Sequence, residues 1–360
     1  MTDNSTTKLK TIAKRWLGRC AYICYYTKNK IIKYIASVQK RTSPPLNAPN
    51  FIKTAHKRRR LIIYGLLLLL ICYYGFGAIV SSHINNRLEI PVKGRFSSGQ
   101  HTVATLSHVI KIQVDKEAWT PALPIIFPAS TLDNLPNFQI GVKDSANFFI
   151  KQFANRNKNR HLEQAAELLS YPEDIWLFSQ NKDDKLSPGS AKQYRKALAE
   201  LEHFIDESKN LPSATEQDLL YLLQDIDKLL SKNISDINKH ILEHNSEMID
   251  FKADNIFYRT QGNIYTLHYL LTAVVKDYKK QILKAEQYQN ITAALRLLND
   301  AAKINPLIIK NASFSASYSA NHLAYLAFYL SQTQNKLQKI SHRISTDILE
   351  LQTCTLNEKE

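Results

Sequence analysis

Two histidines and a glutamate carry the spacing of a known catalytic motif. His240, Glu243 and His244 follow the H-x-x-E-H order of inverted zinc peptidases. On a helix, histidines four residues apart can share a metal ion, and the glutamate can act as general base. On the same helix wheel, however, Glu243 faces solvent, His240 lies at the margin of the stripe formed by Ile237 and Ile241, and no third ligand is recognisable. The pattern favours boundary histidines, so neither a metal ligand nor a catalytic residue is assigned.

Other signatures of chemistry are missing from the sequence. It contains no phosphate-binding loop, nucleophile elbow, dinucleotide-binding glycine pattern or paired CxxC, and only nine glycines in 360 residues. No cofactor is therefore predicted. The acidic residues are scattered over helical segments, and the sequence gives no way to choose two of them as a catalytic pair.

Two polar clusters are the remaining candidates for a ligand or partner groove. Their members are Asp133, Asn134, Asn137, Asn311, Asn321 and His322. Short polar side chains of this kind also cap helices and anchor turns, because their oxygens accept hydrogen bonds from free backbone N–H groups. The structural interpretation is a cap at Asp133 or Asn134, a turn anchored by Asn137, and a first-turn cap at Asn321-His322. Both interpretations stay open.

A charge-free segment, Leu61 to Val80, organises the chain around these residues. Its 20 residues would span about 30 Å as a helix, which matches the hydrocarbon thickness of a bilayer. Arg58, Arg59 and Arg60 precede it directly. A cleaved signal peptide is the alternative, but 60 preceding residues and 20 apolar ones are both too many for one. The sequence predicts an uncleaved transmembrane helix.

Charge sets the expected orientation. Residues 1–60 contain 15 Lys or Arg and one acid, a net charge of +14 in a chain whose total is +15. Because Lys and Arg near a span stay in the cytoplasm, we expect the N-terminus inside and the C-terminal part outside. Residues 1–41 read as a basic amphipathic arm that lies on anionic lipid headgroups. Nucleic acid would attract the same charge, but the tether beside a membrane favours lipid.

The rest of the chain divides by composition. Residues 42–60 form a Pro-rich linker and basic flank, 81–137 a polar stalk and Pro-rich irregular segment, and 353–360 a tail. Between them, 138–352 is a helical domain. Apolar periodicity predicts a short helix near 103–114 and further helices over 140–154, 161–169, 190–205, 219–230, 234–248, 254–284 and 291–304. The expected fold class is mainly α, a single transmembrane helix followed by an α-helical bundle.

Two sequence signals refine these helices. Ser213 and Glu216 have the spacing of a capping box at the start of one helix. In the last helix, which begins near Ser319, an apolar residue recurs at every seventh position. The row consists of Leu323, Leu330, Leu337, Ile344 and Leu351. Such a row is a packing seam, either within a bundle or between two copies of the chain.

The chain resembles an uncharacterised bacterial inner-membrane family, known as domain of unknown function 2333. The resemblance rests on the basic arm and span, the Asp133-Asn134-x-Pro136-Asn137 segment, Trp176, and the Asn321-His322-Leu323 opening of the last helix. It covers most of residues 61–350 and implies a single-pass, periplasm-facing helical protein. It implies no reaction and no catalytic residue.

Two function classes follow. The first is a non-enzymatic envelope module that binds a periplasmic partner protein, and the absence of nucleophile and metal signatures favours it. The second is an anchored hydrolase of cell-wall or envelope material, with the zinc peptidase as its least favoured form. A eukaryotic lumenal protein is a third reading, because Asn233, Asn290 and Asn311 are glycosylation sequons.

Orientation gives the first testable prediction. A reporter that is active only outside the cytoplasm is expected to work when fused after Glu360 and to fail when fused before Met1, because the positive charge lies before the span. Replacing Arg58, Arg59 and Arg60 by glutamate should mix the two orientations. Activity of the N-terminal fusion alone would reverse the assignment.

Overall fold

The computed structural model describes most of the chain after residue 47. The described residues are 48–81, 100–130, 133–180, 186–208, 215–244, 250–306, 308–311 and 321–357, with positions 84, 86 and 88. The chain divides into two compact units, residues 1–68 and 69–360. The predicted basic arm, residues 1–41, lies outside the described residues.

Helix α1, Ala48–Ser81, contains the predicted span and continues before it through the basic flank. Pro49 lies in its first turn, where a missing backbone N–H costs no hydrogen bond. Its segment Arg58–Gly77 is long and apolar enough to cross a bilayer, and none of it is buried inside the protein. A helix with leucines exposed all round is stable in lipid rather than in water.

The second unit is built from helices with one small antiparallel ribbon. After α1 come α2 (Gln100–Lys111), α3 (Asn134–Asn157), α4 (Arg160–Leu169), α5 (Ser190–Glu207), α6 (Glu216–His244), α7 (Phe251–Asp277), α8 (Lys279–Lys284), α9 (Tyr288–Ala302) and α10 (His322–Asn357). Strands β1 (Phe178–Gln180) and β2 (Leu186–Pro188) pair with Ser179 opposite Ser187. The expected fold class, mainly α with one candidate span before a helical bundle, is confirmed.

Helix α7 lies at the centre of the bundle. Helices α2, α3 and α9 pack directly on it, and α6 and α10 also contact it. Its large, fully buried apolar side chains include Phe257, Ile264, Tyr265, Leu267, Leu270, Leu271 and Val274. Because these residues point in several directions around the helix, α7 is covered on more than one side.

The backbones of α3 and α7 come into close contact where the two helices cross. A Cβ atom on Gly141 would overlap the carbonyl of Arg259, and one on Gly262 would overlap the carbonyl of Phe138. Only glycine lets the two backbones approach this closely. The helices run parallel, since Asn137 contacts Asn255 and Ser145 contacts Asn263, each pair 118 residues apart.

Several predicted boundaries differ from the structure. The helices expected over 219–230 and 234–248 are one continuous helix, α6, because no glycine or proline interrupts them. The helix expected over 254–284 ends at Asp277, and α8 starts at Lys279. Helix α2 belongs to the core, with Leu106 and Val109 fully buried. The helical domain therefore begins well before residue 138.

The start of α6 corrects the predicted capping box. Thr215, rather than Ser213, precedes the first helical residue, and the backbone N–H of Asp218 donates to its Oγ1 at 3.2 Å. In return, the backbone N–H of Thr215 donates to Asp218 Oδ2 at 2.9 Å. The reciprocal pattern is the expected one, shifted by two residues. Ser213 lies outside the described residues.

The seven-residue row of the last helix faces the protein interior. Leu323, Leu330, Leu337 and Ile344 are at most 2 % exposed, and α10 packs against α6 and α9. The row therefore forms a seam within one chain. Because these four residues are covered within one chain, a homo-oligomer through the last helix would have to use another face of it, and it stays a prediction.

Burial also bears on the sequons. The amide of Asn233 is buried and donates to the carbonyl of Leu229 at 3.0 Å, and Asn311 is buried as well. To carry a glycan, either side chain would have to leave the folded core. Asn290 is half-buried. Two of the three sequons that suggested a lumenal protein are therefore buried.

Candidate functional site

Asp250 is the centre of a polar cluster at the N-terminus of α7. It occupies the N-cap position, where its Oδ1 accepts a hydrogen bond from the backbone N–H of Ala253 at 3.0 Å. Its Oδ2 lies 2.8 Å from His240 Nε2 and accepts a second hydrogen bond from the Asn311 amide at 2.9 Å. Three chain segments, α6, α7 and the residues after α9, therefore meet at one carboxylate.

The expected position of His240 at the margin is wrong. Its side chain is 7 % exposed, and its ring stacks on that of His244 with 4.6 Å between centroids. The reason is Asp250, because its carboxylate is a hydrogen-bond partner for the buried ring and offsets the free-energy cost of burying a polar group. The sequence offered one signal for this pairing, an aspartate immediately before a helical pattern.

Glu243 does point to solvent as expected. Its carboxylate lies 4.0 Å from Lys239 on the same helix, while His240 turns towards Asp250. Within the described part of the chain, no group of three or more His, Cys, Asp or Glu side chains has the arrangement of a metal site. Glu243 therefore lies beside Lys239, whereas His240 lies beside Asp250.

Hydrogen bonding sets the charge of Asp250. Burial alone would raise the pKa of this carboxyl, but the donors from Asn311 and the Ala253 backbone, together with His240, hold its pKa below the ordinary value. The carboxylate therefore stays ionised and accepts hydrogen bonds from Asn311 and from the Ala253 backbone. It acts as a fixed anchor for its neighbours.

The first predicted polar cluster reaches the same end of α7. The Asn137 amide donates to Asn255 Oδ1 at 2.8 Å and to the carbonyl of Asp133 at 2.9 Å, so the backbone that it fastens is the first turn of helix α3 and not a separate turn. Asp133 takes the N-cap position of α3, but its side chain makes no capping bond. Asn134 is the first residue of α3.

Asp254 is a functional candidate that the motifs did not reveal. It lies in the first turn of α7, half-buried. Burial and the negative charge of Asp133 raise its pKa to about 6. The same two carboxylates, after burial, raise the pKa of the Tyr258 hydroxyl. A carboxyl with this pKa exchanges its proton near neutral pH, as a general acid or base must.

The second predicted cluster splits between two roles. Asn321 accepts a hydrogen bond from the backbone N–H of Ala324 at 2.8 Å, so the expected first-turn cap of the last helix is confirmed. His322 binds the backbone of Lys310 twice, through its Nδ1 at 3.0 Å and its N–H at 3.1 Å. Burial and the nearby charge of Lys310 lower the pKa of His322. These bonds fix the segment that carries Asn311.

The candidate residues Asn137, Asn311 and His322 thus make their contacts around the start of α7. Asn311 binds Asp250, Asn137 binds Asn255 one turn further along α7, and His322 holds the residue before Asn311. The first two contacts are partly buried, and the third is exposed. The arrangement fastens α3, α6 and the segment before α10 to the start of α7.

Open surface is found elsewhere, between α6 and α10. Two neighbouring clefts run along these helices. The first is lined by Ser231, Ile234, Ser235, Asn238, Lys239, Leu242, Glu243 and Gln334. The second is lined by Leu220, Leu223, Gln224, Asp227, Lys228, Leu337, Gln338, Ser341, His342 and Ser345. Neither contains His240, Asp250 or Asp254. The sequence gave no sign of these clefts, because they arise from the packing of distant helices.

Comparison with known proteins gives no match to any family model, curated protein or solved structure. The resemblance to the bacterial inner-membrane family stays a prediction.

The raised pKa of Asp254 predicts a pH-dependent stability. Between pH 4 and 6 the folded chain holds this proton more tightly than the unfolded chain, whose ordinary pKa is 3.8, so the free energy of unfolding falls as pH rises. Asp254→Asn removes this loss. The variant is expected to exceed the natural chain by about 1–2 kcal/mol at pH 7 and to match it near pH 4.

Denaturant titration of the full chain in detergent at the two pH values measures this difference. Asp174→Asn, the same change at an exposed acid, is the matched control. If Asp254→Asn and the natural chain differed in free energy of unfolding by the same amount at pH 4 and pH 7, the raised pKa of Asp254 would be contradicted.

Proposed function

We propose that this chain is a single-pass membrane protein whose helical domain binds a partner protein and catalyses no reaction. The charge-free helix with its basic N-terminal flank supports the anchor, and the charge bias supports a cytoplasmic N-terminus. In a bacterium this topology corresponds to an inner-membrane protein with a periplasmic domain. The basic arm then meets the anionic lipid of the inner leaflet.

One observation carries the non-catalytic assignment. The side chains of His240 and Asp250, the best placed acid–base pair, are 7 % and 4 % exposed and bind each other. A general acid or base must come within hydrogen-bond reach of its substrate. Here the Asn311 amide and the backbone N–H of Ala253 also donate to the carboxylate of Asp250. The pair stabilises the fold.

The clefts between α6 and α10 are the proposed partner surface. They combine amide and charged side chains with Leu242, an exposed apolar residue. Gln334 and Gln338 both donate to Asp227 Oδ1, at 3.0 and 2.8 Å, which holds the cleft walls together. Interfaces of proteins that associate reversibly have this mixed composition.

An anchored hydrolase is the second candidate, and one observation favours it. Burial and the nearby charge of Asp133 raise the pKa of Asp254 to about 6, the range in which a carboxyl can act as general acid or base near neutral pH. Asp254→Asn separates the two proposals. It would abolish hydrolysis of envelope material, but it leaves partner binding at the α6–α10 clefts unchanged.

Site-specific photo-crosslinking in living cells tests the proposed partner surface. Benzoylphenylalanine at Lys239 on α6 or Ser341 on α10 is expected to form an adduct of one defined mass, because both residues line the clefts. Lys196 on α5 is the control, being exposed and outside them. Adducts at all three positions, or at Lys196 alone, would contradict the assignment.

A further inference from the structure

An exposed apolar patch, the loop patch, lies on the second unit. It consists of the segment 124–127 together with Trp176 and Leu177. Ile125 is 76 % and Ile126 59 % exposed, and Trp176 and Leu177 are exposed as well. The rings of Phe127 and Trp176 join the two parts, 5.5 Å between centroids. No charged residue occurs from 118 to 130. Clustered apolar exposure of this kind marks an interaction surface.

The loop patch is bonded to the end of the apolar helix α1. The Tyr73 hydroxyl donates to the carbonyl of Ile126 at 3.1 Å, and the Tyr74 hydroxyl donates to that of Ile125 at 2.9 Å. One turn later, a Cβ on Gly77 would overlap the ring of Pro128. The loop therefore lies directly along the last turns of the candidate span.

The backbone carbonyls of this loop have hydrogen-bond donors from within the protein. The carbonyl of Pro124 accepts from the N–H of Phe127 at 2.9 Å, and the carbonyl of Phe127 accepts from the Ser130 hydroxyl at 2.7 Å. With the two tyrosine bonds, four consecutive carbonyls have donors. Irregular backbone at membrane depth needs such partners, because lipid offers none.

The expected depth agrees with an interfacial location. From Tyr73 to Val80 the helix rises about 10 Å, the depth that apolar side chains of interfacial segments reach. Tyrosine and tryptophan are the residues that concentrate at this level of a bilayer. Tyr73, Tyr74 and Trp176 supply three of them on one side of the protein.

We infer that the loop patch inserts into the headgroup and acyl-chain boundary of the membrane that α1 spans. The occupant is lipid, because the patch continues the apolar surface of α1. The inference depends on the anchoring part of the proposed function. Insertion gives the domain a second membrane attachment, which limits its rotation about the helix and fixes which surfaces face away from the bilayer.

An environment-sensitive label tests the insertion in the full chain. The natural cysteines, Cys20, Cys24, Cys72 and Cys354, are replaced by alanine. A nitrobenzoxadiazole group is then placed on a single cysteine at Ile126, Leu70 or Leu242. The protein is reconstituted in phosphatidylcholine vesicles with and without bromine on the acyl chains.

Quenching by brominated lipid is expected at Ile126 and Leu70 and absent at Leu242, which is also apolar and exposed but lies outside the loop patch. Quenching at Leu70 without quenching at Ile126 overturns the insertion and leaves the anchor intact. No quenching at Leu70 refutes the anchor itself. Equal quenching at Ile126 and Leu242 would also overturn the inference.

A pair of glycine variants tests the attachment to α1. Gly77→Val displaces Pro128 and is expected to lower quenching of the Ile126 label at least twofold, whereas Gly75→Val has no atom within 4 Å to displace and should leave it unchanged. Circular dichroism verifies that both variants stay helical. Unchanged quenching in Gly77→Val contradicts the dependence of the loop on this contact.

Discussion

The close crossing of α3 and α7 is the constraint on which the helical domain depends. Gly141 and Gly262 each lie against the backbone of the opposite helix, where no Cβ atom fits. The approach fixes the register of the pair, so Asn137 meets Asn255 and Ser145 meets Asn263. A shift of one residue would separate both polar pairs and leave buried donors without acceptors.

From this crossing the polar contacts extend to the rest of the domain. The Asn263 side chain accepts a hydrogen bond from Ser145 and donates one to Asn233 Oδ1 at 2.6 Å. The second bond connects α6 to the same pair of helices. At the start of α7, Asp250 holds His240 and Asn311. His240, Asp250 and Asn311 therefore stabilise the packing around the start of α7. Within the described part of the chain, the α6–α10 clefts and the loop patch are the surfaces for which a function is proposed.

Properties of local sequence were predictable, and contacts between distant segments were not. The span follows from the missing charges of 61–80, and the last helix follows from its seven-residue row. Burial of His240 was missed because its partner, Asp250, lies in another helix. The clefts and the loop patch were missed for the same reason, since neither has a periodic signal. Gly141 and Gly262 carry no motif, although isolated glycines in helical patterns hint at close packing.

The stability of Gly262→Ala tests the central crossing most directly. Alanine is the better helix former by about 1 kcal/mol, so propensity alone predicts a gain. Overlap with the carbonyl of Phe138 predicts a net loss of about 1–3 kcal/mol in denaturant titrations of the full chain in detergent. Gly65→Ala, with no atom within 4 Å, should lose nothing. A Gly262→Ala chain as stable as the natural one would contradict the account.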